Sequence, residues 1–561
     1  MRYFYLFIIS WLVTCGLQAQ DNVIPAGHWM MNLADRYEII TGKFVDGTQL
    51  TAGFVQRKHI LATHDTFPVL SKQDIFNRDE YLKKDLACGR ATEYPGFNRK
   101  PFWDNFYASP AYLLDYYDVH KNYRITFNPV LAMGIGKDML DNSKYLFRNT
   151  RGGELKGFIG KKQSFGFYSF ATDNQVSLPK YVNYYTDSFG YLPNQTFWKR
   201  FKAQGYDYFQ ARGYVWWDVN EFVNLRFGQD KIFWGNGMRS LILGDFSPAN
   251  LFFQINTNLG IVNYQNYYGQ FTDFSPITGA SLLRRKFGTF HRLGINIAKN
   301  VNIGLFEAVM FGRQDSTQSD RYDIAYLNPI IFYRAIEQQL GSQDNALIGI
   351  DWKWNFLKRF QFYGQFVLDE FMLKELKAQN GWWANKYALQ VGAKYMNVFG
   401  LPNIDWQAEL NVVRPFTYSH FRSGGNWANF GQAIAHPLGA NFKEIIFKIS
   451  AQPLKRLRAE FTFIEFLKGE DFTLNGLNYG GNILRDYSTK VQDYGNTIAQ
   501  GKGIGAGIFD LNISYMLQHN FFIDARMYYK LYDQNDRYPN TKWFQVGFRW
   551  NIDSETRLMY Y

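Results

Sequence analysis

The chain of 561 residues contains only two cysteines, Cys15 and Cys88, and has neither a CxxC pair nor a Cys/His spacing typical of a metal site. A disulfide framework and a zinc centre are therefore excluded as the basis of its stability. Long apolar runs are also scarce, because after residue 20 no stretch approaches the ~18 residues of a membrane-spanning helix. With a mean hydropathy of −0.32, the sequence excludes a polytopic helical membrane protein.

Aromatic residues, in contrast, are abundant. They make up 19% of the chain, almost as much as the 20% contributed by charged residues. This abundance excludes an intrinsically disordered protein. Tyr, Phe and Trp fit a pleated surface and gather at bilayer interfaces, so we expect a β-protein that meets a membrane. The net charge of +12 favours acidic polysaccharide or lipopolysaccharide as a partner. No nucleic-acid partner is predicted.

The N-terminus has the features of an export signal. A short apolar segment, 3–13, follows Arg2 and precedes the small residue Ala19. This order is typical of a cleaved secretory signal peptide, which we assign to residues 1–19. A retained anchor is disfavoured because the apolar segment is too short, and lipidation is disfavoured because Thr14 is bulkier than the residue usual before a lipidated Cys15.

Apolar and polar residues alternate along many segments after the N-terminal region. Segment 541–550 places Phe544, Val546, Phe548 and Trp550 on one face, with Gln545, Gly547 and Arg549 on the other. The same period of two recurs in 348–354, 360–369, 387–395, 405–412, 509–517 and 521–531. A soluble sandwich also alternates, but large rings on one face and charges on the other suit a lipid-facing wall around a wet lumen. We therefore expect Phe362 and Phe548 to face lipid, and Gln361 and Arg549 to face the lumen.

These patterns predict an all-β fold, a transmembrane antiparallel β-barrel of about 16–18 strands preceded by a mainly helical or irregular module. The expected divisions are a signal peptide over 1–19, a periplasmic or plug-like module over 20–117, and the barrel over 118–561. Within the module, residues 74–84 have a helix-like composition. The predicted location is the outer membrane, with its lipid as a contact.

The motifs that suggest enzymatic chemistry do not hold up. The glycine-rich segment 501–507 precedes a predicted strand instead of a helix, and it lacks the Ser/Thr that follows a phosphate-binding lysine. The eight histidines are scattered, and no GxSxG nucleophile motif occurs. We therefore predict no catalytic residues, no cofactor and no metal, and hence a protein that is not an enzyme.

The segment 228–247 is too distinctive for a generic strand, since it combines closely spaced glycines with Trp234, Arg239 and Asp245. Trp234 offers a stacking face, and Arg239 offers donors for hydroxyls, for carboxylates or for Asp245. We predict that these three residues shape a ligand site, either directly or by fixing its loop. A purely structural clamp inside the barrel is the alternative.

Several segments of the sequence resemble Wzi-like capsule-assembly outer-membrane proteins, in the form common in Bacteroidota. They are 149–155 (NTRGGEL), 235–245 (GNGMRSLILGD), 327–330 (LNPI), 413–420 (VRPFTYSH) and 436–441 (HPLGAN). The resemblance implies an 18-stranded outer-membrane barrel with a periplasmic helical element and a lectin-like role in attaching capsular polysaccharide.

Two other functions stay open. Related Bacteroidota barrels of the RemB type are implicated in gliding motility, so one alternative is a motility- or secretion-associated barrel that acts through protein partners. A diffusion porin is the second.

Overall fold

The structure is a computed structural model. It describes residues 24, 29–57, 59–60, 71–83, 106–109, 111–118, 123–141, 145–159, 164–202, 205–273, 283–313, 321–330, 333, 341, 344–471, 476–533 and 538–553. The predicted signal peptide and Cys88 lie outside these residues.

Eighteen antiparallel strands within the described residues form a closed barrel, as predicted. The strands are β1 (Tyr123–Asp138), β2 (Tyr145–Ile159), β3 (Phe165–Ser177), β4 (Gly205–Asp218), β5 (Val223–Asp230), β6 (Asn250–Leu259), β7 (Val262–Asp273), β8 (Arg284–Ala298), β9 (Val301–Phe311), β10 (Asn345–Phe356), β11 (Phe360–Glu370), β12 (Lys386–Tyr395), β13 (Ile404–Val413), β14 (Phe442–Leu454), β15 (Leu457–Glu470), β16 (Lys502–Gln518), β17 (Phe521–Tyr532) and β18 (Thr541–Trp550). Each strand pairs with its neighbour in sequence, and β18 pairs with β1 to close the ring.

Shorter elements complete the fold. The described helices are α1 (Trp29–Thr41), α2 (Lys72–Lys83), α3 (Val182–Ser188) and α4 (Leu373–Lys377), and a short strand, Leu114–Asp118, pairs with the first half of β1. Helix α2 confirms the helix-like composition noted for 74–84. Within the described residues, no helix has the length and apolar character needed to cross a bilayer.

The two faces of the barrel wall follow the predicted alternation. On β11, Phe362 is 41% exposed on the outer surface, whereas its neighbour Gln361 is 0% exposed and faces the lumen. On β18, Phe544 and Val546 are exposed, and Arg549 is buried. Neighbouring residues of a strand point to opposite faces, so the period of two in the sequence becomes an apolar outer wall and a polar inner wall.

The two ends of the barrel differ in their connections. Short turns such as 260–261, 299–300 and 455–456 join the strands at one end. The other end carries the long connections, which are 178–204, 231–249, 312–344, 414–441 and 471–501. Outer-membrane barrels have short periplasmic turns and longer extracellular loops, and the two ends of this barrel show the same asymmetry.

The N-terminal residues 29–57 occupy the lumen near the short-turn end. Their polar contacts reach opposite walls: Glu38 accepts from Lys353 of β10 at 2.5 Å, Gln49 accepts from Arg292 of β8 at 3.0 Å, and Gln56 donates to Asp218 of β4 at 2.8 Å. Helix α2 lies beside them, with Glu80 bonded to His519 in the β16–β17 turn at 2.6 Å. Hydrogen bonds to inward-pointing side chains of the wall therefore hold the N-terminal segment inside the barrel at its short-turn end.

The outer wall yields a stability prediction. Val546, midway along β18, is 39% exposed, and Val491, in the long β15–β16 loop, is 40% exposed. Val546→Arg should lower the free energy of unfolding from lipid vesicles by about 2–4 kcal/mol, because the charge enters the bilayer. Val491→Arg should leave it nearly unchanged. Urea titration of both variants in vesicles measures the difference, and equal effects would show that β18 does not face lipid.

Candidate functional site

The β5–β6 loop (231–249), which holds the three predicted site residues, folds into the lumen. Its turn is held from within, because the Ser240 hydroxyl donates to the Trp234 carbonyl at 2.6 Å and accepts from the backbone N–H of Leu243 at 3.1 Å. The Trp234 N–H also donates to the Leu243 carbonyl at 2.9 Å. The serine hydroxyl thus pins a compact turn that crosses the barrel interior.

A row of inward-facing polar side chains on four successive strands receives this loop. Gln365, Gln390, Asn411 and Glu444 are register partners across β11, β12, β13 and β14. Gln365 accepts from the Leu241 N–H at 2.8 Å and donates to the Trp234 carbonyl at 2.9 Å. Each end of the loop's turn is therefore bonded to the wall instead of to water, which satisfies backbone groups that would otherwise be buried without partners.

Glu409 on β13 binds the loop most closely. Its two carboxylate oxygens accept from the successive backbone N–H groups of Met238 and Arg239, at 2.7 and 3.1 Å. A Cβ added to Gly237 would lie 2.2 Å from this carboxylate. A side chain at position 237 would therefore displace the Glu409 carboxylate from its two backbone donors.

Arg239 forms its ion pair across the lumen and not within its own loop. Its guanidinium lies 3.2 Å from Glu444, which His436 also contacts at 2.7 Å. All three side chains are buried, and burial lowers the pKa of His436 below its usual value. From the sequence we considered a carboxylate such as Asp245 as a partner of Arg239, and the carboxylate that the structure places 3.2 Å from its guanidinium is that of Glu444. The backbone carbonyl of Asp245 accepts from the Lys231 ammonium at 3.0 Å.

Trp234 is likewise part of the barrel interior. It is 1% exposed, and its ring packs edge-on against Phe290 of β8 with centroids 6.2 Å apart. The structure thus brings Trp234 and Arg239 into one buried loop, while Asp245 lies half-buried near the loop's end.

The β13–β14 loop (414–441) covers this loop from the long-loop end of the barrel. The Tyr418 hydroxyl donates to the Leu241 carbonyl at 2.7 Å, and the Trp427 indole donates to the Ile242 carbonyl at 3.0 Å. The N-terminal segment contacts the β5–β6 loop from the short-turn end, where the Gly235 N–H donates to the Thr51 carbonyl at 2.9 Å. Three layers of chain therefore stack in the lumen: the N-terminal segment, the β5–β6 loop and the β13–β14 loop.

Part of the lumen beside β1–β4 and β16–β18 is left as a cavity of about 140 Å³. Its polar lining includes Arg148, Asn194, Asn512, Arg526, Gln545 and Arg549. Residues of the β3–β4 connection form part of its wall. Among the described residues, no group of His, Cys, Asp or Glu is arranged to hold a metal ion.

A cluster of half-buried aromatic rings lies at the long-loop end, where three connections meet. It consists of Trp382 and Trp383 from 371–385, Phe421 from 414–441, and Tyr487 from 471–501. The Trp383 and Tyr487 ring centroids are 5.0 Å apart, and those of Phe421 and Tyr487 are 6.0 Å apart. We call these four residues the loop aromatic cluster.

Cations surround the loop aromatic cluster. Lys490 lies 4.4 Å from the Trp383 ring centroid, and Arg422 lies 5.2 Å from that of Phe421. Lys386, buried beneath, lies 4.4 Å from the Tyr487 ring and is paired with Glu370 at 2.9 Å. Ring faces offer apolar stacking surfaces, and ammonium and guanidinium groups bind carboxylates, so this arrangement has the chemistry to hold an acidic sugar polymer.

Sequence reasoning did not identify this cluster. The one signal that marked it is the Trp382-Trp383 pair, next to Gly381 in a segment without alternation. Phe421 and Tyr487 carried no such signal, because they are distant in sequence and meet only through the loop packing. Sequence reasoning also missed the role of Glu409. The alternation predicted that its side chain points inward, but not that it binds the β5–β6 loop.

Comparison with known proteins shows similarity at the level of structure alone. No protein-family model matches the sequence, and no curated protein matches it. Among solved structures, the chain is similar to Wzi of Escherichia coli, an outer-membrane protein involved in group 1 capsule assembly and a carbohydrate-binding β-barrel. The two share 11% identity with a TM-score of 0.56, over 96% of this chain and 100% of Wzi. OprD of Pseudomonas aeruginosa matches with a TM-score of 0.42 and 12% identity, over 76% of this chain and 93% of OprD.

The likeness to Wzi shows that the chain has the fold of an outer-membrane barrel.

The buried pair between Arg239 and Glu444 predicts a large coupling. Glu444→Leu should lower the free energy of unfolding by about 3–5 kcal/mol, because Arg239 is left buried without its carboxylate. Adding Arg239→Met should restore a substantial part of this loss.

Glu460, which pairs with Lys448 at 3.0 Å and is partly exposed, is the control on the neighbouring strand. Glu460→Leu should cost under about 1 kcal/mol. Urea unfolding of the wild type and the three variants measures these differences, and a small effect of Glu444→Leu would contradict a structural role for the pair.

The β13–β14 loop should be sensitive to acid. Burial lowers the pKa of His420 to about 4, against about 6.5 in an unfolded chain. As the pH falls from 6.5 towards 4, the unfolded state binds a proton that the native state does not, so stability is lost in that window. Between pH 7 and pH 5 the expected loss is about 2 kcal/mol. His420→Asn keeps an acceptor for the Arg422 N–H and should reduce this pH dependence, as measured by urea unfolding. An unchanged pH dependence would show that His420 is not the source of the acid sensitivity.

Proposed function

We propose that the protein is an outer-membrane barrel that binds acidic surface polysaccharide at the loop aromatic cluster. The observation that carries the proposal is the meeting of Trp382, Trp383, Phe421 and Tyr487 with Lys490 and Arg422 at the long-loop end. The net charge of +12 favours the same class of partner, either capsular or exopolysaccharide or the sugar part of lipopolysaccharide. Wzi, whose fold this chain shares, is described as carbohydrate-binding, which is consistent with the proposal.

The predicted residues Trp234, Arg239 and Asp245 have an indirect role in this proposal. Trp234 and Arg239 lie beneath the β13–β14 loop, which rests on the carbonyls of Leu241 and Ile242. We assign the β5–β6 loop the task of holding the β13–β14 loop, and with it Phe421 and Arg422, in place. Of the two roles considered from the sequence, shaping a site by fixing its loop is the one that this burial supports.

The layered filling of the lumen supports polysaccharide binding over a diffusion porin. Residues 29–57, 231–249 and 414–441 are bonded to one another and to the walls by buried hydrogen bonds. A solute passing this side of the lumen would have to break several of these hydrogen bonds.

The proposal includes the divisions predicted from the sequence: an export signal over 1–19, an N-terminal module over 20–117 and a barrel over 118–561. It also includes membership of the Wzi-like proteins of Bacteroidota.

Binding to defined polysaccharides tests the site. The wild-type protein in lipid nanodiscs should bind alginate, a polymer of uronic acids, more tightly than neutral dextran. Trp383→Ala with Lys490→Ala should weaken alginate binding at least about tenfold, which corresponds to about 1.4 kcal/mol. Trp354→Ala with Lys358→Ala removes the same residue types at the short-turn end and should have no effect. No alginate binding by the wild type, or equal losses in both double variants, would contradict the proposal.

A clean gene deletion separates the functions that the sequence left open. Loss of retained surface polysaccharide supports the proposed role. Loss of colony spreading with the surface glycan intact supports the alternative of a motility- or secretion-associated barrel with protein partners, of which RemB-type proteins are the example. Steady conductance of the purified protein in planar bilayers supports a porin.

A further inference from the structure

Three polar side chains interrupt the outer wall of the barrel. Asn266, His291 and Glu307 are register partners across β7, β8 and β9, and they are flanked in the same row by Ile255 and Ile348. His291 points outward, because its neighbour Arg292 faces the lumen, where it binds Asp351 at 2.7 Å. It is also the central residue of the 15-residue strand β8, so the row lies midway along the wall.

These polar side chains are not exposed on the wall. Asn266, His291 and Glu307 are between 0% and 4% exposed, whereas Ile348 beside them is 49% exposed. The long β9–β10 connection lies outside this row: Tyr333 packs on His291 with ring centroids 4.3 Å apart, and Tyr326 of segment 321–330 packs on Tyr333 at 5.7 Å. We call segment 321–330 the outer strap. It shields groups whose exposure to hydrocarbon would be costly.

The backbone of the outer strap is bonded to tyrosine hydroxyls. The carbonyls of Leu327 and Asn328 accept from Tyr268 and Tyr333 at 3.2 and 3.0 Å, and the carbonyl of Pro329 accepts from Tyr264. Three consecutive carbonyls thus have a side-chain donor each. Irregular backbone is tolerated at membrane depth only where its polar groups are satisfied by protein, and the outer strap meets this condition.

Both ends of the connection are tied together above the wall. The Arg313 guanidinium donates to Asp323 at 2.8 Å and to Asp344 at 2.8 Å, and the Tyr326 hydroxyl donates to Asp344 at 2.7 Å. Beneath them, Tyr322 donates or accepts at 2.8 Å from Thr289 of β8. The outer strap is therefore held in place against the wall by hydrogen bonds and ion pairs.

The surface that the outer strap turns away from the wall carries three exposed aliphatic side chains, beside exposed Asn328 and Arg321. Ile324, Leu327 and Ile330 are 72%, 45% and 65% exposed, while Tyr326 between them is buried against Phe311, with ring centroids 4.7 Å apart. The segment thus carries polar bonds on its inner side and branched aliphatic side chains on its outer side. Over the polar row of β7–β9, the barrel therefore exposes aliphatic side chains of the outer strap.

We propose that the outer strap is embedded in the outer leaflet, where Ile324, Leu327 and Ile330 contact lipid acyl chains. The inference rests on the proposed outer-membrane location and is independent of polysaccharide binding. In this arrangement an extracellular loop forms the lipid-facing surface over one sector of the barrel, and the wall behind it is protein core.

Spin labels at single cysteines test the proposal in purified protein reconstituted into phosphatidylcholine vesicles. Cys15 and Cys88 are changed to serine, and labels are placed in separate variants at Ile324, Leu327 and Ile330. Met527 on the outer wall of β17, 44% exposed, is the lipid reference, and Val491 in the β15–β16 loop, 40% exposed, is the water reference. The labels on the outer strap should collide more often with dissolved oxygen, which partitions into the bilayer, than with a water-soluble nickel chelate, as at Met527.

Preference for the nickel chelate at all three positions, as at Val491, would overturn the proposal. If the Met527 label also prefers the nickel chelate, the membrane location itself fails, which is a different result. Labels that are protected from both reagents in isolated outer membranes, but reached by the chelate in vesicles of the pure protein, would show that a protein partner covers the strap and would also overturn the proposal.

A charge substitution provides a second measurement that does not depend on labelling. Leu327→Arg should lower the urea midpoint for unfolding from vesicles as much as Met527→Arg does, and clearly more than Val491→Arg. A shift equal to that of Val491→Arg would place the strap in water and refute the proposal.

Discussion

Backbone groups at membrane depth must find their hydrogen-bond partners within the protein, and this constraint organises the whole molecule. The wall meets it by closing the ladder between β1 and β18. The β5–β6 loop inside the lumen meets it through wall side chains such as Gln365 and Glu409. The outer strap meets it through the hydroxyls of Tyr264, Tyr268 and Tyr333. Irregular backbone can therefore lie on either side of the wall, because the wall supplies donors and acceptors on both faces.

The polar inner face serves as a set of anchoring points for the segments that enter the barrel. The row Gln365, Gln390, Asn411 and Glu444 holds the β5–β6 loop, and the next segments are bonded to that loop in turn. Buried charges are tolerated here because they are paired, as Arg239 is with Glu444. The position of the surface rings thus depends on bonds made deep in the lumen.

The barrel presents three surfaces with different chemistry. The lumen is polar and largely occupied by the protein's own segments, the outer wall is apolar and includes the outer strap, and the long-loop end combines rings with cations. The long-loop end joins the exposed Arg422 and the half-buried Lys490 to stacking faces within reach of large soluble polymers. The proposed polysaccharide site follows from that division of chemistry.

Alternation with a period of two was enough to predict the barrel class, its approximate strand number and the facing of residues such as Phe362 and Gln361, because the two faces of a strand are a local property of the chain. The composition of 74–84 predicted a helix for the same reason. The sequence also marked 228–247 as unusual, but not the partner of Arg239, since Glu444 is 205 residues away.

Nothing in the sequence marks His291 and Glu307, and only the fold shows that these outward-pointing side chains are buried. Likewise Trp383, Phe421 and Tyr487 come from three separate loops. Strand pairing and loop packing join residues far apart in sequence. Tertiary structure alone therefore decided which side chains meet at the barrel's surface and inside it.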